Sequence, residues 1–158
     1  MTREVMDDRL PAHDSGAMTD DAAAPATPSP SELLAMMPFA TGLGIEITAA
    51  SAAEVTGSMP WRPDLCTTFG ALHGGAMMAM ADSLGAVCAF LNLPAGATTS
   101  TIESKTNFFR GLREGSLHAV SRPLHVGRTT IVVQTDLADD RGKRVAQVTQ
   151  TQAVLPAS

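Results

Sequence analysis

The sequence predicts an α+β domain in which one long apolar helix is wrapped by a curved antiparallel sheet. The helix is predicted over Leu72–Leu93, which carries a single charged residue, Asp82, and is stopped by Pro94. Four strand-length segments, each bounded by turn residues, follow it. Because a helix without a polar face must be surrounded by other groups, the strands are expected to cover it.

The same apolar segment could be considered as a membrane span, since roughly 20 apolar residues can cross a bilayer. Asp82 would then lie near the bilayer centre, at a cost of about 2.5–3.5 kcal/mol. No cluster of Lys or Arg flanks either end of the segment, and glycines and alanines dilute its hydrophobicity. These features favour an interior helix, in which a buried carboxylate is rarely tolerated without a purpose. We expect no membrane partner.

Composition narrows the class of protein further. A chain of 158 residues with 44% hydrophobic residues suggests one domain with a substantial core. Five Phe, one Trp and no Tyr argue against a stacking platform for nucleic acid. Residues 1–30 hold six acidic and two basic residues, whereas residues 101–158 hold five acidic and eight basic ones. The basic C-terminal half therefore suits a small anionic ligand better than a polyanion.

The cysteines and the N-terminus bear on cofactors and location. Cys66 and Cys88 are 22 residues apart, a spacing typical of neither a disulfide framework nor a zinc site. The N-terminus lacks the basic region followed by an apolar run that marks a secretory signal. We therefore expect a cytoplasmic protein with no metal and no cofactor.

Turn residues and alternation place the remaining elements. Residues 1–30, rich in Ala, Pro, Asp, Ser and Thr, are predicted to form a disordered acidic tail before a folded domain at 31–158. A helix start at Ser29 to Glu32 predicts a short helix over Ser31–Phe39. The predicted strands are Ile45–Thr48, Ala53–Trp61, Thr98–Phe109, Ser116–Val126, Thr129–Leu137 and Arg144–Leu155. A 20-residue helix and a ten-residue strand both span about 30 Å, so such strands can cover the helix along its length.

The sequence LHGG, followed by a helix of small residues with an acid nine positions after the His, resembles the hotdog-fold acyl-CoA thioesterases. The nearest branch is the phenylacetate-pathway and 4-hydroxybenzoyl-CoA, or HGG-type, branch. The segments TSTIESKTNFFRGLREGSLHA, HVGRTTIVVQTDL and GKRVAQVTQTQAVL match as well, so the resemblance covers about residues 33–155. It implies a hotdog fold, hydrolysis of an acyl-CoA to the free acid and coenzyme A, and a homo-oligomer of dimers, usually a tetramer.

Gly74 and Gly75 are predicted to begin the long helix. Backbone N–H groups at a helix start lack intrahelical partners, and the helix dipole is positive there. This arrangement could polarise the carbonyl of a thioester, and glycine lets a substrate approach the backbone closely. Alternatively, the two glycines only ease packing at a crowded helix start.

Asp82 is the candidate nucleophile or general base. The alternative is a paired structural acid within the helix. Since nine residues of helix separate it from His73 by about 13.5 Å, Asp82 cannot reach a carbonyl held at its own helix start. A second, antiparallel copy of the helix would supply the missing carboxylate, so the spacing suggests a site shared across a dimer interface.

Two residues before the helix are candidates for the same site. His73 is expected to position the loop or the attacking water, with a direct chemical role left open. Many members of the family place Asn six residues before the His, where this sequence has Thr67, a shorter side chain whose hydroxyl could substitute. A nucleophilic role for Cys66 lacks any visible activating arrangement.

The resemblance implies further substrate-binding residues in the later strands. Ser100 and Thr101 begin the strand after the helix, where hydroxyls of family members approach the thioester and the catalytic acid. Gly127 and Arg128 are the first candidates to meet the phosphates of coenzyme A. Four more basic residues, Arg110, Arg113, Lys143 and Arg144, are alternatives, although any single one is more often a solvated surface residue.

Two other functions stay open at this point. A non-catalytic hotdog module that binds acyl-CoA is favoured by the loss of Asn at Thr67 and opposed by the presence of Asp82. A hotdog enoyl-CoA hydratase is opposed by the LHGG motif with its distant acid. The acyl group is not defined by the sequence, although Met77, Met78, Met80 and Phe90 would suit an aryl or medium-length chain.

Overall fold

One long helix packs against a six-stranded antiparallel sheet in residues 28–156, the part of the chain that the computed structural model describes. The helix contacts all six strands, which a flat sheet could not achieve, so the sheet curves around it. The predicted α+β architecture is therefore confirmed. The predicted disordered tail, residues 1–30, lies outside the described residues except for its last three positions.

Three α-helices, one 3-10 turn and six strands make up this region. In chain order they are α1 (Pro30–Ala35), α2 (Pro38–Gly42), β1 (Glu46–Ala50), β2 (Val55–Pro60), the 3-10 turn (Pro63–Leu65), α3 (Gly74–Phe90), β3 (Thr98–Phe108), β4 (Ser116–Val126), β5 (Thr130–Ala138) and β6 (Arg144–Leu155). The order across the sheet is β1-β2-β4-β5-β6-β3, and all neighbours are antiparallel. The strand that follows α3 is therefore an edge strand.

The predicted elements agree with the structure except at the N-terminal helix. All six strands lie within two residues of their predicted bounds, and α3 begins and ends within three. The single helix predicted over Ser31–Phe39 was wrong, because the chain forms the two short helices α1 and α2 there. Pro38 explains the break: its ring disfavours the helical conformation in the preceding residue, and Met37 has φ −120° and ψ 75°.

The core lies between α3 and the inner face of the sheet. The helix buries nine residues there: Ala76, Met77, Met80, Ala81, Leu84, Gly85, Val87, Cys88 and Ala89. Strand β5 contributes the predicted alternating set, of which Ile131, Val133, Thr135 and Leu137 are buried, whereas Thr129 is exposed before the strand begins. Each large apolar side chain buried in this way contributes about 1.5–3 kcal/mol. In residues 28–156 no helix has both the length and the apolar character that crossing a bilayer requires.

One face of α3 is not covered by the sheet. The residues of this face, the open stripe, recur every three or four positions and are half-buried or exposed: Gly75, Met78, Ala79, Asp82, Ser83, Ala86 and Phe90. The sheet therefore wraps around the helix, as predicted, but it leaves this face uncovered within residues 28–156. The neighbouring edge strand β3 is also largely exposed. Together, the open stripe and β3 form a surface on which apolar side chains of a single chain are exposed to solvent.

Burial controls the reactivity of the helix cysteine. Desolvation raises the pKa of the Cys88 thiol to about 11, and the side chain is fully buried. At pH 8 only about one thiol in a thousand is then ionised. We expect a maleimide or disulfide reagent at pH 8 to leave Cys88 unmodified in the folded protein and to label it after denaturation, as measured by mass spectrometry. Labelling of Cys88 as fast as that of the half-buried Cys66 would contradict this prediction.

Candidate active site

The start of α3 is capped by the His73 side chain. His73 has an extended backbone, and its Nδ1 accepts a hydrogen bond from the Gly75 N–H at 2.8 Å. The His73 carbonyl accepts from the N–H groups of Ala76 and Met77. Within the described residues, the N–H of Gly74 has no hydrogen-bond partner. The helix start predicted to polarise a carbonyl is thus present, with the Gly74 N–H open and the Gly75 N–H engaged by the imidazole.

A cavity of about 370 Å³ lies beside this helix start. Its lining is Leu72, Gly74, Met77, Phe108, Phe109, Arg110 and Gly111. A Cβ atom on Gly74 would lie 3.0 Å from Cζ of Phe108, so glycine is what allows this close approach. Because Gly74 lines this cavity, its open N–H can polarise the oxygen of a carbonyl that binds there.

The loop before the helix carries Thr67, whose main chain is hydrogen-bonded within the loop. The His73 N–H donates to the Leu65 carbonyl at 2.8 Å, and the Thr67 N–H donates to the Ala71 carbonyl at 2.8 Å. The loop is therefore folded back against the helix start. The Thr67 hydroxyl makes no hydrogen bond within residues 28–156, so it is available to a ligand or a water.

Asp82 lies on the open stripe, half-buried, and has a defined hydrogen-bond partner. The Thr101 hydroxyl donates to Oδ1 of Asp82 at 3.2 Å. Asp82 forms no ion pair within the described part of the chain, which disfavours the alternative of a paired structural acid. The predicted neighbour Thr101 is thus brought to Asp82, whereas Ser100 is exposed and makes no side-chain hydrogen bond to it.

Two glutamines next to Asp82 were missed by the sequence reasoning. Gln150 and Gln152 on β6 are each only 1% exposed. Nε2 of Gln152 donates to the Thr101 hydroxyl at 2.9 Å, and Nε2 of Gln150 lies 3.4 Å from the Asp82 main-chain carbonyl. Their signal was present in the segment VTQTQAV, where glutamines occupy the inward positions that follow Val148 at a spacing of two.

Gln150 reaches the helix because Gly85 has no side chain. A Cβ atom at Gly85 would lie 2.3 Å from Oε1 of Gln150, closer than real side chains approach. The two residues therefore fix how near β6 lies to the helix turn that carries Asp82. The packing of β6 against α3 therefore requires a residue without a side chain at position 85.

Gly127 and Arg128 form the turn between β4 and β5. The turn is closed by the Gly127 N–H donating to the Thr130 carbonyl at 2.9 Å, and Arg128 is exposed without an ion pair in residues 28–156. At the same end of the sheet, the Val154 N–H donates to the Thr129 carbonyl. Val154 pairs with Thr99, so this is also the end at which β3 begins. Gly74 and Phe108 lie at the opposite end. A single chain therefore does not bring the predicted phosphate-binding turn to the helix start.

The helix itself also separates the two main catalytic candidates. Asp82 follows Gly74 by eight positions, which corresponds to about 12 Å along a regular helix. Gly75 and Asp82 do share the open stripe, because seven residues are close to two turns. Within one chain, the carboxylate and the open N–H cannot act on the same carbonyl.

Comparisons with known proteins identify the family, and the fold is that of the hotdog thioesterases. The profile of the Thioesterase superfamily matches residues 69–146. Protein PA1618 of Pseudomonas aeruginosa is 38% identical over 115 residues, which cover 72% of this chain and 79% of its own. The crystal structure of a mutant of that protein, described as a thioesterase, superposes with a TM-score of 0.78 at 36% identity and covers 84% of this chain and 97% of the other.

Two relatives carry more specific names. The proofreading thioesterase EntH of Cronobacter turicensis is 30% identical over 113 residues, which cover 72% of this chain and 82% of its own. The 1,4-dihydroxy-2-naphthoyl-CoA hydrolase of Escherichia coli is 34% identical over 87 residues, which cover 55% of this chain and 64% of its own. The chain belongs to the Thioesterase superfamily and is a thioester hydrolase of the hotdog fold.

Proposed function

We propose that this protein hydrolyses an acyl- or aryl-CoA thioester to the free acid and coenzyme A. Asp82 acts as the nucleophile or general base, and the start of α3 at Gly74 polarises the thioester carbonyl. The observation that carries the proposal is the state of Asp82, a carboxylate on the open stripe that is held by one hydroxyl and forms no ion pair in residues 28–156. Such a carboxylate is available to attack a carbonyl or to take a proton from water.

We propose that the active site is shared between two copies of the chain. Gly75 and Asp82 lie at equal distances in sequence on either side of Met78–Ala79. A two-fold axis passing beside that point would pair the open stripes of two antiparallel helices and place the partner subunit's Asp82 opposite Gly75. The same operation would cover the open stripe of each chain and bring the two exposed β3 edges together. A dimer, or a tetramer built from such dimers, is therefore the proposed assembly.

The acyl group is proposed to occupy the cavity beside Gly74. Phe108 and Phe109 provide aromatic walls there, and Met77 is the one predicted methionine that lines it. Met80 is fully buried in the core and Met78 lies on the open stripe. Phe90 lines a smaller cavity of about 170 Å³ at the other end of α3. An aryl or medium-length acyl chain fits a cavity of this size and polarity, in line with the aryl-CoA named for the Escherichia coli relative.

The proposal is tested by measuring release of the coenzyme A thiol from a panel of aryl-, medium-chain and short-chain acyl-CoA thioesters. We expect aryl- and medium-chain thioesters to be hydrolysed with higher kcat/KM than acetyl-CoA, because they fill the cavity with apolar surface. Binding of acyl-CoA without hydrolysis of any panel member would instead favour the non-catalytic module. The cytoplasmic location and the absence of a cofactor remain predictions from the sequence.

Arg128 is proposed to bind the phosphates of coenzyme A. It is exposed and forms no ion pair within the described residues, and in the shared dimer it approaches the end of the partner that carries Gly74. We expect Arg128→Ala to raise KM for an acyl-CoA about five- to tenfold, about 1–1.4 kcal/mol, with kcat nearly unchanged. KM for the matching acyl-pantetheine thioester, which lacks the nucleotide, should not change.

The control for this measurement is Arg122→Ala, which removes an exposed arginine of β4 that pairs with Glu54. The competing position is a second cavity of about 320 Å³ next to Gly111, whose basic lining residues are Arg110, Arg113, Arg141 and Lys143. Arg110 lines the acyl cavity as well, so Lys143 is the residue that distinguishes the two positions. A rise in KM with Lys143→Ala and none with Arg128→Ala would move the phosphate site to the second cavity.

A further inference from the structure

We propose that Gln152 is a positioning residue that acts through the Thr101 hydroxyl to hold the Asp82 carboxylate for reaction. The inference rests on the proposed catalytic role of Asp82. Gln152 lies directly opposite Thr101 in the pairing of β6 with β3, and it is 1% exposed. A buried amide is costly unless its donors and acceptor are paired, and the described partners of the Gln152 side chain are both threonines of β3.

The contacts form a directed chain that ends on Asp82. Nε2 of Gln152 lies 2.9 Å from Oγ1 of Thr101, which in turn lies 3.2 Å from Oδ1 of Asp82. A hydroxyl has one proton to donate, so a Thr101 oxygen that accepts from Gln152 is free to donate its own proton to the carboxylate. Gln152 therefore sets the direction in which the Thr101 hydroxyl points.

The orientation of the Gln152 amide is selected by the same carboxylate. If the amide were reversed, the Thr101 hydroxyl would donate its proton to Oε1 of Gln152. Oγ1 of Thr101 and Oδ1 of Asp82 would then face each other with no proton between them. Oε1 of Gln152 lies 3.2 Å from the Thr99 hydroxyl, whose nearer acceptor is the Ala153 carbonyl at 2.9 Å, so the orientation is argued from the Thr101 side. An ionised Asp82 and the Gln152 amide thus stabilise each other's arrangement.

This chain separates the roles of the two Asp82 oxygens. Oδ1 accepts from Thr101, whereas Oδ2 has no hydrogen-bond partner within residues 28–156. The lone pairs of Oδ2 are therefore the ones left for the thioester carbonyl or for a water. Fixing one oxygen fixes the direction of the other, and a misplacement of about 1 Å in a reacting group can reduce a rate about a hundredfold.

The test uses the full-length protein with an acyl-CoA that the panel shows to be turned over. We expect Gln152→Leu to lower kcat about tenfold or more with KM within twofold, because orientation rather than binding is lost. Gln152→Glu keeps the shape but replaces the donor by an acceptor, so it should lower kcat at least as much. The matched control is Gln147→Leu, which removes a glutamine of the same strand that donates to Asp136 on the other face.

The decisive measurement is a double-mutant cycle with Thr101→Val. If Gln152 acts through the Thr101 hydroxyl, Gln152→Leu has no further effect on kcat in the Thr101→Val protein, whereas Thr101→Ser keeps the sensitivity to Gln152→Leu. Folding is checked by thermal unfolding, and Gln152→Met replaces Gln152→Leu if the latter is not recovered folded.

Two outcomes overturn the proposal. One is a folded Gln152→Leu protein with a kcat within twofold of the parent, and the other is effects of Gln152→Leu and Thr101→Val that simply multiply. Asp82→Asn is measured alongside. Full activity in Asp82→Asn would remove the proposed catalytic role and this proposal together, whereas an inactive Asp82→Asn beside an unaffected Gln152→Leu would remove only the positioning role.

Discussion

Asp82→Asn is expected to lower kcat/KM for the best acyl-CoA of the panel by about a thousandfold, or about 4 kcal/mol of transition-state stabilisation. Asn has nearly the same shape and can still accept from Thr101, so the hydrogen bond of 3.2 Å and the packing of α3 are retained. The substitution removes only the negative charge and the basicity that attack on a carbonyl or deprotonation of water requires. The measurement is steady-state release of coenzyme A thiol, with KM reported separately.

The control for this prediction is Asp64→Asn, the same chemical change at an exposed acid. Asp64 pairs with Arg62 at 3.0 Å, and its side chain is 66% exposed. We expect kcat/KM within twofold of the parent for this variant, since exposed ion pairs contribute little. Retention of more than a tenth of the activity by Asp82→Asn would contradict the assignment of Asp82 as nucleophile or general base.

Most of the fold could be predicted from local patterns. The α3 segment is apolar on all sides and ends at turn residues, and the strands are bounded by Gly, Pro and charged turns, so their bounds follow from short-range chemistry. The error at α1 and α2 was also local: Pro38 at the end of the predicted helix forces Met37 out of the helical region. The break between α1 and α2 can therefore be predicted from the sequence alone.

The site was less accessible to sequence reasoning because its contacts are long-range. Thr101 and Gln152 are 51 positions apart and meet only because β3 crosses to the edge of the sheet next to β6. A crossover of this kind is set by how the whole sheet closes around α3. The capping of Gly75 by His73 involves neighbours in sequence, yet it depends on a side-chain conformation that composition does not determine.

What covers the open stripe of α3 could not be predicted from the sequence. An apolar helix predicts that something covers it, but not whether the cover comes from its own chain. In the described residues the sheet covers one face of α3, whereas the face that carries Gly75, Met78 and Asp82 is left half-buried or exposed. The position of the candidate nucleophile on this face, rather than on the buried one, is the reason that we propose a site shared between two copies of the chain.

The shared site predicts that two inactive variants restore each other's activity. Asp82→Asn has an intact helix start and no carboxylate, whereas Gly74→Val keeps Asp82 but fills the helix start with a side chain that must displace Phe108. Each variant alone should be nearly inactive. In a mixed dimer, one of the two sites combines the intact helix start of the first chain with the intact Asp82 of the second.

Co-expression with two affinity tags, followed by purification on both, isolates the mixed dimers. We expect these to show about half of the parental kcat per dimer with an unchanged KM, because one of the two sites is complete. A site contained in one chain gives a different result, since neither chain of the mixed dimer then holds both groups and the activity stays at the sum of the two inactive proteins. The regular helix between Gly74 and Asp82 makes the first result the expected one: about 12 Å of rigid backbone separates two groups that must meet within hydrogen-bonding distance of one carbonyl.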